Sequence, residues 1–207
     1  MKFPEGFLWG TATAAHQVEG NNVNSDNWLL EHMPGTIYAE PSGDACDHYH
    51  RYPEDIALLA ELGFNTYRFS IEWARIEPEE GEFSQASLEH YRRMLAMCHE
   101  HGLTPIVTFH HFTSPRWLIA AGGWEDKETP DRFARFCERA TRHLGDLIGA
   151  ACTVNEPNWS AFDNFEWVFG YRPTFGLIAV DRKTQVRTIK PSARWLGAIA
   201  RANGLGL

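Results

Sequence analysis

Three times in the first 157 residues an amphipathic stretch stops at a glycine and an apolar run follows. Pro53-Glu54-Asp55 opens the first helix, with Ile56, Leu59 and Leu62 on one face and Gly63 as its stop. Phe64–Ile71 follows, alternating Tyr67, Phe69 and Ile71 against Thr66, Arg68 and Ser70. The second helix runs from Ser84 to His101 on Leu88, Tyr91, Leu95 and Cys98, then Gly102 yields to Leu103–Phe109. That strand is nearly all apolar, as parallel strands covered on both faces tend to be. Thr129-Pro130 supplies a cap and a first-turn proline for the third helix, whose face is Phe133, Phe136, Cys137, Ala140 and Leu144. Gly145 closes it, and Ala151–Val154 reads as a short buried strand. With Phe7–Thr13 as an opening strand, the order is that of a β/α barrel, whose functional side chains gather at the C-terminal strand ends.

Those strand ends are where the polar residues fall. Gln17 lies in the exit loop 14–20, where it presents an amide to a ligand or caps a turn. Residues 21–50 read as irregular. Arg68 inside a strand needs a partner if buried, so it faces an acidic cavity or pairs with a carboxylate of another strand. His110-His111-Phe112 ends the third strand, and Asn155-Glu156-Pro157 ends the fourth. A carboxylate there is either held at the mouth of a barrel or solvated at a strand end.

After Pro157 the alternation breaks. Leu177–Val180 and Gln185–Ile189 read as a β-hairpin turning at Asp181–Thr184, followed by a helix from Pro191 with Trp195, Leu196 and Ile199 inward. The 207 residues suit one domain, residues 1–157 as an N-terminal half and 158–207 as a C-terminal block. The expected fold class is α/β, a partial TIM-type barrel with about half the strands, a C-terminal hairpin and a helix.

A net charge of −8 argues against nucleic acid and anionic membranes as partners. No apolar run approaches the roughly 18 residues that suggest a membrane span. Cys46, Cys98, Cys137 and Cys152 show no metal or redox spacing, which fits reduced thiols in a cytoplasmic protein. His48-x-His50 lacks a matching distant cluster, so neither a metal nor a cofactor is expected. Eight Trp, thirteen Phe and six Tyr fill a core first. Several Trp stand beside Glu, Asn or His near strand ends, and flat rings beside hydrogen-bonding groups suit a sugar.

Phe3–Gly10 with Gln17-Val18-Glu19-Gly20, Cys46–Tyr52, Tyr67–Ile76, Thr153–Pro157 and Asp163–Trp167 with Gly170-Tyr171 stand in a fixed order. On these blocks the chain resembles glycoside hydrolase family 1, the β-glucosidase-type retaining glycosidases, over essentially its whole length. The resemblance implies a β-glycoside substrate with Glu156 as acid/base. It implies that Gln17, His111, Asn155 and Glu166 bind sugar hydroxyls, that Trp159 stacks under the ring and that Trp167 lines the same subsite. Arg68 would stand beside the nucleophile. Phe112 replaces the family's usual Trp, which keeps an apolar wall but loses an N–H donor.

The family's nucleophile is a Glu in an I/V-T-E-N-G segment, and no such segment occurs here. The fourth strand is joined directly to the tail of the eighth, with Thr153–Phe162 as a candidate hybrid of the two. A full barrel takes roughly 250 residues. Glu19, Glu72 and Glu166 remain as other carboxylates, at positions that suit binding or support. Three functions stay open: a β-glycosidase, a non-catalytic sugar-binding remnant, and an inactive deletion product. Open barrel edges point to a two-fold homodimer.

Overall fold

The computed structural model describes residues 3–156, 160–163, 172, 174 and 176–202. The chain divides into two compact units, residues 1–155 and 156–207. In the first the elements run β1 (Gly10–Thr13), α1 (Ala15–Val18), α2 (Asp26–Glu31), α3 (His48–Glu61), β2 (Thr66–Ser70), α4 (Trp73–Ile76), α5 (Gln85–Glu100), β3 (Thr104–His110), α6 (Arg116–Ala120), α7 (Thr129–Leu144) and β4 (Ala150–Val154). The four strands form one parallel sheet in the order β1-β2-β3-β4. The fold is thus a partial β/α barrel.

The core lies between this sheet and the long helices. Tyr67 and Phe69 of β2 and Val107 of β3 are buried with Leu88, Tyr91, Leu95 and Cys98 of α5. Phe136, Ala140 and Leu144 bring the third helix onto the same core, and Trp73 stacks on Phe136 at 5.0 Å. Ser84 caps α5 by accepting from the Ser87 N–H. Thr129 is the first residue of α7 and gives its hydroxyl to the Gly123 carbonyl instead of capping.

Several expectations need correction. The opening strand is shorter than Phe7–Thr13, because Phe3, Phe7 and Trp9 pack on one another at centroid distances of 4.6–4.9 Å ahead of it. The exit loop contains the single turn α1, and residues 21–50 contain α2 and the start of α3. The first long helix begins at His48, so Pro53 lies inside it and Leu62 falls past its end, 72% exposed. Strand β4 is not buried: Ala150, Ala151 and Thr153 are exposed and Cys152 half-buried, since among the described residues β4 has a neighbour on one side only. All four cysteines are free thiols.

In the second unit β5 (Ser160–Phe162) pairs parallel with β6 (Gly176–Val180), which pairs antiparallel with β7 (Arg187–Ile189). The expected hybrid strand is therefore two strands in different sheets. The hairpin turns where its sequence predicts, with Asp181 Oδ1 accepting from the N–H groups of Lys183 and Thr184 at 2.8 Å each. Lys190 Nζ pairs with Asp163 at 2.7 Å. The closing helix α8 is Pro191–Ala202, and Trp195 is 61% exposed, not inward. No helix among the described residues is long and apolar enough to cross a membrane.

Candidate active site

Residues leaving β1 and β3 meet at one open cavity of about 510 Å³ in the first unit. Gln17 reaches it from α1, His111 and Phe112 from the exit of β3, and Glu31 and Tyr38 from the excursion between α1 and α3. Gly20 lets that excursion fold back: at φ +78° its position would put a Cβ 2.2 Å from the Asp44 carbonyl oxygen, so only glycine fits. Backbone bonds from Asn21 to Gly43 (2.8 Å) and from Cys46 to Val18 (3.2 Å) close the base of the loop.

Glu31 is the functional-looking residue that sequence reading missed. It is buried, and its Oε1 accepts from His16 Nε2 at 2.7 Å while Oε2 accepts from the Ser42 N–H and hydroxyl at 2.9 and 2.8 Å. Burial works to raise its pKa, but the bonds from Ser42 and His16 outweigh it and hold the carboxyl below its ordinary value. The cavity wall thus carries a fixed anion. The available signal was weak: Ser25 before Asp26 is a helix cap, but six residues of α2 are too few to show a period.

Asn155 and Arg68 are brought to each other. The Asn155 N–H continues the sheet ladder by donating to the His110 carbonyl at 2.8 Å, which leaves the side chain buried under the strand end. Its Oδ1 accepts from an Arg68 terminal nitrogen at 2.7 Å, and Arg68 Nε donates to Thr108 Oγ1 at 2.8 Å. Among the described residues no carboxylate pairs with Arg68. A hydroxyl and an amide oxygen accept from two of its nitrogens, and the second bond holds the Asn155 amide. Glu156 follows directly, exposed, in the left-handed region at φ +46°. Such a conformation is uncommon outside glycine and asparagine. Trp159, Glu166 and Trp167 lie outside the described residues.

Glu19 and Glu72 do not line the cavity. Glu19 is buried, pairs with Arg75 Nε at 2.8 Å and accepts from the Tyr91 hydroxyl at 2.9 Å. Burial raises its pKa against the pull of Arg75. Glu72 is buried with no cation bonded to it among the described residues, and burial pushes its pKa up to about 7. His48 and His50 bond to Asp55 and Asp47, each at 2.7 Å.

The sequence model of Glycosyl hydrolase family 1 matches residues 1–159 and 158–205, so the chain belongs to that family. Over 165 residues it is 43% identical to β-glucosidase A of Acetivibrio thermocellus, covering 76% of this chain and 37% of that one. The chain spans about 37% of the length of that curated relative. Among solved structures, β-glycosidase BGL167 superposes with a TM-score of 0.74 at 36% identity, over 99% of this chain and 98% of the other. The β-glucosidase of Thermotoga maritima in complex with deoxynojirimycin gives a TM-score of 0.73 at 41% identity, over 76% of this chain and 37% of that one. BGL167 is thus a chain of nearly equal length, whereas the Thermotoga enzyme extends well beyond the shared part.

Proposed function

We propose that this chain binds β-glycosides, β-glucosides or β-galactosides, and is a β-glycosidase-type hydrolase that carries an acid/base but no nucleophile of its own. The observation that supports it best is the convergence of Gln17 and His111 on one cavity beside the anionic Glu31. An amide, an imidazole and a carboxylate beside the apolar Phe112 form the donor and acceptor set that a hydroxyl-rimmed ring needs. Glu156 is the acid/base in this reading. In the same reading Asn155, held by Arg68, and Glu166 bind sugar hydroxyls, and Trp159 and Trp167 take the family's roles beside the ring. Retaining chemistry needs a second carboxyl about 5–5.5 Å from the first. Glu19 and Glu72 are turned into the core, and in this reading an external anion takes that role. The two halves, residues 1–157 and 158–207, serve as one truncated barrel domain in this reading. A reducing, cytoplasmic setting suits the four free thiols.

The missing nucleophile segment favours a second reading, a sugar-binding remnant without turnover. The similarity to BGL167 over nearly all of both chains speaks against an accidental deletion product. Calorimetric titration with a neutral, non-hydrolysable aryl thio-β-glucoside tests binding. Gln17→Ala and His111→Ala should each weaken it by about fivefold, the loss of roughly 1 kcal/mol of hydrogen bonding. Equal affinity in the native chain and both variants would remove this cavity as the sugar site.

We also propose a two-fold dimer through strand β4, which among the described residues has a neighbour on one side only and so invites pairing. Light scattering at micromolar concentration should give twice the chain mass, and a stable monomer would exclude it.

A further inference from the structure

The exit of β3 holds a strained turn at the cavity wall. The Thr113 N–H donates to the His111 carbonyl two residues back at 2.9 Å, and Phe112 between them has φ +68°. A three-residue turn with a positive central φ is rare and unfavourable for a side chain as large as phenylalanine. Such a turn persists only where its surroundings over-determine it. His111 and Phe112, the two side chains the turn presents, both line the cavity, as does Thr113.

What holds the turn is a buried carboxylate. Thr113 Oγ1 donates to Glu72 Oε2 at 2.8 Å, while Glu72 Oε1 accepts from the Ala74 N–H at 3.2 Å. One residue further on, Ser114 is fastened separately, its N–H donating to Asp26 Oδ1 at 3.0 Å. The Glu72 bond thus anchors the residue that follows the strained one. We propose that Glu72 is a positioning residue for the sugar site: through Thr113 it fixes the turn that sets His111 and Phe112 in the cavity wall. This rests on the cavity being the sugar site.

A dependence on pH follows. Burial first, and then the Glu19 carboxylate of the neighbouring turn, raise the Glu72 pKa to about 7, against the bonds from Thr113 and the Ala74 N–H and the pull of His16. The other groups facing it are Tyr91 of α5, which accepts from the Glu72 N–H at 3.0 Å, and Arg75 of α4, held by Glu19. Ionised Glu72 accepts from both Thr113 and Ala74. Once protonated, Glu72 carries an O–H donor of its own; turned toward Thr113, it meets a hydroxyl that must then accept instead of donate, and the anchor changes character. Sugar binding is then strongest above about pH 7 and weakens below it. Stability carries the opposite sign. The folded carboxyl keeps its proton up to about 7 and the unfolded one only to its ordinary 4.5, so this group's contribution to stability falls as pH rises through that window.

The test is the affinity for the neutral thio-glucoside between pH 6 and 8.5, with the aromatic NMR signals of His111 and Phe112 followed in the free protein. In the native chain affinity should rise by about tenfold across the range, and the His111 and Phe112 signals should shift with the same midpoint. Glu72→Gln should bind at the native low-pH level with no pH response. Thr113→Val should do the same, and Thr113→Ser should restore the native profile. Glu72→Gln keeps both imidazoles of the cavity, His16 and His111, so a native profile in that variant belongs to them and overturns the proposal. Should Glu72→Gln fail to fold, the Thr113 pair decides: equal profiles for Val and Ser overturn it. If the native chain binds no glucoside, the sugar-site reading fails on its own. The NMR midpoint, and its loss in Thr113→Val, still decides whether Glu72 sets the turn.

Discussion

With azide present, Glu156→Gln should slow release of a poorly activated aryl group from its β-glucoside by about 10²–10⁴-fold, the usual contribution of a general acid. Release of dinitrophenolate should hardly change. The difference isolates the role of Glu156. Azide supplies the attacking electron pair in both cases, so what separates them is whether the leaving oxygen needs a proton. Dinitrophenolate is a stable anion and leaves unprotonated. A methoxyphenolate or an alkoxide needs an acid at the bond as it breaks, and glutamine offers none. The measurement is the rate at fixed azide across aryl leaving groups of graded acidity. The native chain should show a shallow dependence and Glu156→Gln a steep one. Parallel lines would place the acid elsewhere.

The second large effect concerns the support under the site. Arg75→Met should destabilise the chain by about 3–5 kcal/mol, as when one partner of a buried ion pair is removed. Glu19 is buried, and its only bonded cation among the described residues is Arg75, 2.8 Å away. The same guanidinium also donates to the Gly20 carbonyl and lies 4.5 Å over the Tyr49 ring, so its loss frees the base of the loop that carries Glu31. Without Arg75 the Glu19 pKa, already raised by burial, rises further. The folded state then binds a proton that the unfolded state releases near its ordinary 4.5, so the defect should be small in acid and deepen as pH rises from there. Adding Glu19→Gln should recover most of the loss at neutral pH by removing the stranded charge. Urea unfolding of the single and double variants at pH 5 and pH 8 checks this. A defect independent of pH and of Glu19 would mean that Arg75 contributes through packing alone.

Much of this architecture was legible because it depends on local rules. The faces of α5 and α7, the apolar β3 and the Asp181 turn each follow from spacing, caps or turn chemistry within a few residues. Gln17 and His111 stood out by their places after strands, and both line one cavity. What could not be read depends on distant neighbours. Strand β4 has the composition of a buried strand, yet it is exposed because no further strand covers it among the described residues. Leu62 and Trp195 keep helical spacing but are exposed among the described residues. The partners of Arg68 lie 40 and 87 residues away, and nothing in the strand itself tells a carboxylate from an amide oxygen. Glu31 was hidden for the same reason: its role comes from His16 and Ser42, which only the fold brings to it.

The most direct test of the proposed glycosidase site, with an acid but no nucleophile, is the configuration of its product. Dinitrophenyl β-glucoside is incubated with the chain, with and without azide, and the anomeric proton of the product is followed by NMR. Attack by azide from the face opposite the leaving group should give the α-glucosyl azide, and turnover without azide should stay near background. Rapid hydrolysis without azide that releases β-glucose would contradict the account, because it requires a nucleophile within the chain.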